Sequence, residues 1–409
     1  MKKISVIGAG IVGVCIAYFL NKNGHKVTIF DENKPGTQTS FGNAGIFANH
    51  DCVFANSPNL WKDLPSLIFK KDGYVTFDWI YVLTHLPWMF KFLRNCTNTK
   101  VNHIAKSLSD FSFHAESAYD ELFDEVDVSN YVVNKDSIYL YETEKDFQKG
   151  QYMNNLRKKN GVPFDIIDKE KISKLEPSLA PVYYNGVIYR DESYTKSSLK
   201  ITQSIFNKFI NNGGSFILKK IDSVFKKNNN LILKSNNQEF QTDKVIIAAG
   251  VWSNNLAKTI KDNFPLDTER GYHITFKSKK NLISRSIGWA SAGFYMTPME
   301  DGIRAAGTVE IAGLKKPMNK KRLELIEKTS RKILPQLGEI KNYWMGFRPT
   351  LPDSLPVIGK SKKCEDVYYA FGHQHLGLSL GAVTGKVIQS LVEDKRSNIN
   401  LEPFNPYRF

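Results

Sequence analysis

Cysteine is scarce in this chain. The 409 residues include four cysteines, Cys15, Cys52, Cys96 and Cys364, which lie far apart and form no Cys-x-x-Cys pair. That spacing excludes a disulfide framework and a cysteine-based zinc site, and it is typical of isolated thiols in a reducing compartment. We therefore expect a cytoplasmic protein without a metal centre.

Long hydrophobic runs are also missing. No stretch reaches the roughly 18 uninterrupted apolar residues of a membrane span, and the nearest one, 79–93, contains His85, Pro87 and Lys91. A strand begins at the N-terminus and leaves no room for a cleavable signal. The aromatic region around Trp61 and Trp79 still permits two interpretations. It is ordinary helical core, or it is a hydrophobic lid or patch that attaches the protein peripherally to the inner membrane.

The positive charge is not clustered. The formal net charge is +15, yet the basic residues occur as dispersed pairs such as Lys219-Lys220 and Lys226-Lys227. Nucleic-acid-binding proteins show a basic face or a basic and aromatic stripe, so we expect no nucleic-acid partner. Scattered surface lysine explains the charge, with weak attraction to an anionic membrane surface as the alternative. The length accommodates two or three compact units, or one core with an inserted domain.

A glycine-rich turn opens the chain. An apolar strand, 3–7, runs into Gly8, Gly10 and Gly13, and an apolar helix and a second strand follow, which ends at Asp31. Glycines at this spacing permit a tight turn, close approach to a pyrophosphate and helix–strand packing, and the acid can accept ribose hydroxyls. The helix N-terminus adds unpaired N–H donors. We expect dinucleotide contacts at Gly8, Gly10, Ile11, Val12, Gly13, Asp31 and Glu32, with NAD and FAD both open.

Two further stretches predict ligand contacts. Residues 37–45 are rich in small and hydroxyl side chains but also contain Phe41 and Ala44, as suits a loop wrapped over a ligand. The apolar run 245–250 is typical of a buried parallel strand. Its last residues, Ala249 and Gly250, allow a ligand to approach where open α/β sheets bind theirs.

The second half of the chain has a different strand pattern. Residues 270–276, 293–297 and 303–306 read as strands of an antiparallel sheet, with Asp301-Gly302 as a hairpin turn between the last two. A glycine turn, Gly372 to Gly377, then precedes an apolar helix at about 380–391.

These blocks occur in an order that resembles the FAD-dependent D-amino-acid oxidase superfamily, and more closely its bacterial D-amino-acid dehydrogenase branch (small subunit type). The residues that carry the resemblance are 40–45, 92–97, 248–253, 346–349 and 403–409. It covers essentially the whole chain and implies FAD as the cofactor. The implied fold is α/β: a Rossmann-type FAD-binding domain with a doubly wound parallel sheet and an inserted antiparallel-sheet substrate domain. The segments would be 1–75, 165–265 and 341–409 for FAD, and 76–164 and 266–340 for the substrate.

The resemblance also implies further cofactor contacts beyond the opening turn. Ser40, Asn43, Ala44 and Gly45 would lie along the ribityl chain and the flavin. Val224 would contact the adenine side, Ala249 and Gly250 would contact the phosphate side, and Trp252 is a further expected cofactor contact. The residues expected at the flavin ring are Gly372, His373, Leu376, Gly377 and Leu378.

Four residues form the expected catalytic set. Arg348 stands in the Gly-Phe-Arg-Pro block that matches the family's carboxylate-binding arginine, and a guanidinium can bind a carboxylate bidentately. Tyr295 matches a tyrosine that hydrogen-bonds substrate, although a core tyrosine is the alternative. His273 and His375 are candidates with structural roles as their alternatives. No general base is strictly required, because a substrate that binds as neutral amine can lose hydride directly.

The implied reaction is oxidative deamination of a D-amino acid. Hydride would pass from the α-carbon to flavin N5, and the imino acid would hydrolyse in water to a 2-oxo acid and ammonia. The turn Gly372-His-Gln-His-Leu-Gly377 departs from D-alanine dehydrogenases and looks more like relatives that act on cyclic secondary amines. D-Proline, hydroxy-D-proline, sarcosine and glycine are therefore alternative substrates. The electron acceptor, a quinone of the respiratory chain or O₂, stays open.

Overall fold

The computed structural model describes residues 1–48, 51–52, 56–60, 73–228, 230–278 and 282–409. Trp61 of the aromatic region lies outside the described residues. In the described part, no helix is long and apolar enough to cross a membrane. All four cysteines are buried free thiols, which confirms the expectation of isolated thiols.

The described part of the chain contains both strands and helices. The strands are β1 (Lys3–Ile7), β2 (Lys26–Asp31), β3 (Ile46–Phe47), β4 (Val75–Phe77), β5 (Val132–Asn134), β6 (Ser137–Tyr141), β7 (Phe164–Ile167), β8 (Asn185–Tyr189), β9 (Ser193–Thr195), β10 (Ser215–Leu218), β11 (Ser223–Lys227), β12 (Asn230–Ser235), β13 (Gln238–Thr242), β14 (Lys244–Ile247), β15 (Asp267–Phe276), β16 (Ile287–Trp289), β17 (Phe294–Met299), β18 (Gly302–Ile311), β19 (Ile340–Thr350), β20 (Val357–Lys360) and β21 (Val367–Phe371). The helices are α1 (Ile11–Lys22), α2 (Trp79–Thr84), α3 (Leu86–Arg94), α4 (Asn98–Ser112), α5 (Ala115–Phe123), α6 (Glu144–Lys159), α7 (Lys169–Leu175), α8 (Ser198–Asn211), α9 (Ser253–Thr259), α10 (Lys320–Ile333) and α11 (Gly377–Val392).

A six-stranded sheet of order β10-β2-β1-β14-β21-β20 forms the nucleotide-binding half. Every pair in it is parallel except β20 with β21. Strands β1 and β14 are buried almost throughout, as their apolar sequences predict. The doubly wound parallel sheet expected from the sequence is therefore confirmed.

Helices α1 and α11 pack together on this sheet with their N-termini side by side. A Cβ on Gly385 would meet the Cys15 carbonyl oxygen at 2.9 Å, and one on Gly381 would lie 3.3 Å from Ile11. The two glycines of α11 thus let the helices approach closely. Because the N-termini are adjacent, the partial positive charges of two helices meet at one place.

The second large sheet is mostly antiparallel. Its path is β19-β15-β18-β17-β16-β6-β8-β7, and β4 joins beside β18. The pairs β16–β6 and β18–β4 are parallel. The hairpin predicted at Asp301-Gly302 joins β17 to β18, and its strands pair from Phe294–Gly307 to Met299–Gly302.

Sheet membership favours later domain boundaries than the sequence suggests. Strands β7 and β8 lie in the mostly antiparallel sheet, beyond the predicted boundary at 164/165, and β19 lies there beyond 340/341. Helices α4 and α5 pack on α11 in the nucleotide-binding core instead of the substrate half; the Tyr119 hydroxyl donates to the Leu378 carbonyl. We therefore propose that the sheet-based divisions fall after Tyr189 and after Thr350.

Candidate active site

One cavity of about 730 Å³ extends from the carboxyl ends of β1 and β14 to the face of β15 and β19. The loop 36–45 and the turn before α11 form its sides. Most predicted site residues line it: Gly8, Gly10, Ile11, Val12, Asp31, Glu32, Ser40, Asn43, Ala44, Gly45, Ala249, Gly250, Trp252, Tyr295, Arg348, Gly372, His373, His375, Gly377 and Leu378. Gly13, Val224, His273 and Leu376 do not line it.

The glycine turn leaves an open cradle at one end of the cavity. Gly8 has φ +115° and a Cβ there would meet the Ala248 carbonyl oxygen at 2.3 Å, so only glycine fits. A Cβ on Gly10 would meet only the Ser40 hydroxyl, at 3.1 Å. Ser40 in turn accepts a hydrogen bond from the Ile11 N–H at 2.9 Å. The backbone is therefore bare where a pyrophosphate would approach the start of α1.

Gly13 acts through packing. A Cβ on it would lie 2.0 Å from the Gly8 carbonyl oxygen, which agrees with the helix–strand role that the sequence predicts. Asp31 fixes the same turn, because its carboxylate accepts the Ala9 N–H at 2.7 Å and the Asn33 N–H at 2.8 Å. A carboxylate has room for further hydrogen bonds, and the exposed Glu32 lines the cavity beside it. Both acids are thus placed to accept ribose hydroxyls.

Asn43 and Arg304 hold the loop 36–45 in place. The Asn43 side chain donates to the Ser40 carbonyl at 2.9 Å and accepts the Gly45 N–H at 2.8 Å. The buried Arg304 donates to the carbonyls of Phe41 at 2.8 Å and Asn43 at 3.2 Å. Because its amide is occupied in this way, Asn43 shapes the loop and presents its backbone to the cavity.

The far end of the nucleotide site differs from the sequence expectation. Val224 lies in the core, with its N–H and carbonyl both hydrogen-bonded to the Thr259 hydroxyl at 2.9 Å. The cavity is lined instead by residues 219–222, directly after β10. We therefore move the predicted adenine contact from Val224 to this segment. Strand β14 ends at Ile247, earlier than predicted, so Ala249 and Gly250 form an open turn that faces the cavity.

The turn before α11 closes the other end. Gly372 has φ +86°, which the turn requires, and Gly377 and Leu378 begin α11 against the cavity. Leu376 is the N-cap residue and its side chain is buried in the core. Burial lowers the pKa of His373 to about 3, and its Nε2 lies 3.0 Å from the Thr384 hydroxyl. His373 is therefore a neutral, packed histidine, and the backbone of this turn faces the cavity.

Arg348 lies on the face of β19 that borders the cavity. A Cβ on Gly271 of β15 would lie 2.6 Å from its Nη2, so this glycine makes room for the guanidinium. Nη1 donates to the Thr308 carbonyl at 2.9 Å. Burial lowers the pKa of Arg348 while Glu269 opposes that effect, yet an arginine remains protonated at physiological pH. The site thus contains a fixed, partly buried cation.

Two tyrosines and a chain of ionisable groups also line the cavity. Tyr295 lies on β17 with its ring centroid 5.5 Å from that of Tyr139, and burial raises its pKa well above the usual value, so the hydroxyl stays protonated. His375 Nε2 lies 2.7 Å from Asp51 Oδ2, and Arg157 lies 3.6 Å from the other oxygen of Asp51. The structure therefore brings Tyr295, Arg348 and His375 to one cavity.

His273 requires a correction. It is fully buried, its ring stacks on Trp344 at 5.2 Å, and Nδ1 lies 3.1 Å from the Gly42 carbonyl oxygen. Burial, assisted by Arg304, lowers its pKa to about 3. Trp344 lines the cavity in its place. We remove His273 from the candidate catalytic set, because a covered, neutral imidazole serves the packing of this wall.

Comparison with known proteins agrees with this geometry. Residues 3–391 match the family described as FAD dependent oxidoreductase. A D-amino-acid oxidase from Bradyrhizobium diazoefficiens is 31% identical over 418 residues, which cover 100% of this chain and 99% of the relative. The chain belongs to the FAD dependent oxidoreductase family.

Other relatives extend the picture. A D-amino acid dehydrogenase from Helicobacter pylori is 25% identical over 408 residues, covering 98% of this chain and 97% of the relative. Glycine oxidase from Geobacillus kaustophilus has a TM-score of 0.77 at 18% identity, with 100% of both chains covered. L-Proline dehydrogenase from P. horikoshii also gives 0.77, at 19% identity, covering 100% of this chain and 97% of that one. The structural matches show a shared fold.

The residues present fit FAD. Gly10 leaves a cradle that a side chain would fill, and the N-termini of α1 and α11 both meet the cavity. The first of these N-termini would hold the pyrophosphate of FAD through its backbone N–H groups. At the second, the N–H groups of the residues that begin α11 can stabilise negative charge on a reduced isoalloxazine. The cavity is continuous between them, as an extended dinucleotide requires.

Three cavity residues were not found from the sequence. Arg157 comes from α6, whose strongly polar composition indicates a surface helix, and no local signal marks it. Tyr139 comes from a strand predicted correctly but not linked to the site. Glu269 lies just before the predicted strand 270–276, and alternation along β15 places it on the same face as Gly271. Of these three residues, only Glu269 could have been found from the sequence, through the alternation of side chains along a strand.

Proposed function

We propose that this FAD-dependent oxidoreductase deaminates D-amino acids, with D-proline, hydroxy-D-proline, sarcosine or glycine as the second class of substrate. The observation that carries the proposal is Arg348. It is a partly buried guanidinium in the part of the cavity that borders the turn before α11, since the Pro349 carbonyl beside it accepts the Gln374 N–H at 3.1 Å. A fixed arginine there suits an α-carboxylate. The relatives named D-amino-acid oxidase and D-amino acid dehydrogenase support the same substrate class.

Each wall of the cavity has a part in the proposed reaction. Arg348 would bind the carboxylate and so fix the α-carbon in the cavity. The protonated Tyr295 would donate a hydrogen bond to the same substrate, and Trp344 would exclude water from beneath it. FAD, when bound, supplies the acceptor for the hydride that leaves the α-carbon. The chain's own contribution is therefore binding, orientation and dehydration of the site.

A panel of amines tests the proposal. The purified protein should be yellow, and under anaerobic conditions D-alanine or D-proline should bleach the flavin absorbance, whereas L-alanine serves as the stereochemical control. Hydroxy-D-proline, sarcosine and glycine complete the panel and decide between the two substrate classes. Reoxidation of the bleached enzyme by O₂ or by a quinone analogue then separates an oxidase from a dehydrogenase. A colourless protein that cannot be reconstituted with FAD would contradict the proposal.

We further propose that the protein attaches peripherally to an anionic lipid surface through α2 and α3. Their outer face exposes Ile80 at 75%, Leu83 at 65% and Phe90 at 63%, next to Lys91 and Arg94. The other face of α3 lines the cavity with Trp88 and Met89 among others, so the patch lies on the outer side of a helix that borders the site. Exposed apolar side chains flanked by cations are typical of membrane-surface helices.

Vesicle binding should depend on this patch. In the variant with Ile80, Leu83 and Phe90 all changed to serine, we expect at least roughly a tenfold loss of co-sedimentation with phosphatidylglycerol vesicles at low salt, because about 0.8 kcal/mol is lost per buried CH₂. Phe113→Ser, at a side chain 82% exposed at the end of α4, is the matched control. Parent protein that stays in the supernatant with these vesicles would refute the attachment.

A further inference from the structure

A buried acid borders Arg348, and the proposed function gives it no role. Glu269 on β15 stands directly opposite Arg348 on β19 in the register of the two strands. Its side chain is 8% exposed and lines the cavity. In the part of the chain that the structure describes, no group donates a hydrogen bond to its carboxylate and no cation forms an ion pair with it. Arg348 donates to the Thr308 carbonyl instead.

A buried carboxylate of this kind destabilises the fold unless a ligand supplies its missing partner. A buried charge that lacks a partner is strongly unfavourable, and a buried carboxylate without donors is rare in folded proteins. Burial raises the pKa of Glu269; Arg348 from β19 and His375 from the turn before α11 oppose that effect, and Asp267 on the same strand adds to it. Glu269 therefore holds a proton more readily than an ordinary glutamate, in a place that a cation could occupy.

Asp51, the other acid near Arg348, already has partners within the cavity. Asp51 lies 2.7 Å from His375 and 3.6 Å from Arg157, so its carboxylate already has an imidazole and a guanidinium as partners. Asp31, Glu32 and Asp222 belong to the nucleotide end of the cavity. Glu269 is thus the carboxylate best placed to receive a cation brought in by the substrate.

We propose that Glu269 binds the substrate's amino group and removes its excess proton. The inference rests on the proposed function, in which Arg348 holds the carboxylate. Side chains directly opposite on paired strands have Cβ atoms about 5 Å apart, and an α-amino acid carries its carboxylate and its nitrogen on one carbon. One substrate can therefore reach Arg348 and Glu269 together. In the transfer an N–H bond of the ammonium breaks, an O–H bond forms on Glu269, and the nitrogen keeps the electron pair.

The neutral amine that results is the form from which hydride can leave. An ammonium has no lone pair to form the C=N bond, so the substrate must lose this proton before or as it is oxidised. The pKa of the free ammonium group is close to that of an ordinary amine. A base within the site allows the bound ammonium to lose its proton at a pH well below that value. Glu269 would thus set the acid limb of the pH profile for flavin reduction.

Glu269→Gln gives effects of opposite sign on two ligands. Holoenzyme is titrated with whichever of D-alanine and D-proline reduces the flavin in the panel, and with the matching nitrogen-free acid, propionate or tetrahydro-2-furoate. Loss of a charged hydrogen bond, worth about 1.5–3 kcal/mol, should weaken the apparent affinity for the amino acid roughly 10- to 100-fold. The nitrogen-free acid should bind as well or better, because the negative charge beside Arg348 is gone. In addition, flavin reduction in the variant should rise with pH toward the ammonium's own pKa.

A matched control and a stability measurement separate this role from a structural one. Glu339→Gln removes the same charge at an exposed site paired with Lys277 and should change neither affinity. The melting temperature of Glu269→Gln should equal or exceed that of the parent, since an uncompensated buried charge is removed. If both ligands bind more weakly by the same factor, or if the affinity for the amino acid is unchanged, the role of Glu269 is refuted while the proposed function stands. If no amine in the panel reduces the parent enzyme, the proposed function fails with it.

Discussion

Replacement of Arg348 by alanine is expected to lower kcat/KM for the amino-acid substrate about a thousandfold. Truncating one partner of a buried, hydrogen-bonded charge pair costs about 2–5 kcal/mol, and each 1.4 kcal/mol is a factor of ten. The upper part of that range applies, because the change also leaves Glu269 buried without the nearest cation. Stopped-flow reduction of the flavin under anaerobic conditions measures the effect directly.

Three comparisons make this result specific. Arg348→Lys should retain the charge but lose the bidentate geometry, and should lie between alanine and the parent. Arg396→Ala removes an exposed arginine remote from the cavity and should behave as the parent. Guanidinium ion added to Arg348→Ala should restore part of the rate. An alanine variant that keeps its FAD and is reduced at the parental rate would show that the carboxylate binds elsewhere, with Arg157 the next cavity cation to examine.

The part of the site that is local in sequence was predictable. Gly8, Gly10 and Asp31 belong to one strand–helix–strand unit, and each has a steric or hydrogen-bonding task that the sequence spacing alone states. The structure agrees at each: a left-handed φ at Gly8, a bare cradle at Gly10, and an acid that fixes the turn. Such motifs can be read early because their partners lie within a few dozen residues.

The part that depends on strand register was not predictable. Alternation places His273 on the same face of β15 as Glu269, but only the pairing of His273 with Trp344 on β19 shows that an indole covers the imidazole. The same pairing, four residues away, puts Glu269 opposite Arg348. His273 therefore leaves the set of candidate site residues and Glu269 enters it. The sequence does not show this difference, because the residues that decide it lie on a strand more than 70 positions further along the chain.

Arg157 illustrates a second limit. Its helix α6 has caps and charges that predict its existence and bounds well, with Thr143 accepting the Asp146 N–H at the N-terminus. Yet the polar composition hides one inward arginine beneath the Tyr189 ring, 5.4 Å from the centroid. Helix propensity reports local backbone preferences, and it contains no information about which distant tyrosine a side chain will meet.

Gly10→Leu is expected to give a folded protein with little FAD. Gly10 has φ −70° and ψ 173°, which any residue adopts, and its Cβ would meet only the flexible Ser40 hydroxyl at 3.1 Å. A leucine there projects into the cradle and keeps the pyrophosphate from the N–H groups at the start of α1. Loss of about two charge-assisted hydrogen bonds, each worth about 1.5–3 kcal/mol, should raise the Kd for FAD by at least roughly a hundredfold.

Titration of apoprotein with FAD, followed by quenching of flavin fluorescence, measures that change, and the melting temperature of the apoprotein should stay within a few degrees of the parent. Gly10→Ala adds only the Cβ and should give a smaller rise in the Kd for FAD. If the leucine variant does not fold, the alanine variant is used to measure the change in FAD affinity. Gly13→Ala provides the contrast, because its Cβ would lie 2.0 Å from a backbone oxygen and should lower the apoprotein's melting temperature itself. Parental FAD affinity in Gly10→Leu would mean that the pyrophosphate does not approach α1 at this turn, and the two helix N-termini would then have to be assigned afresh.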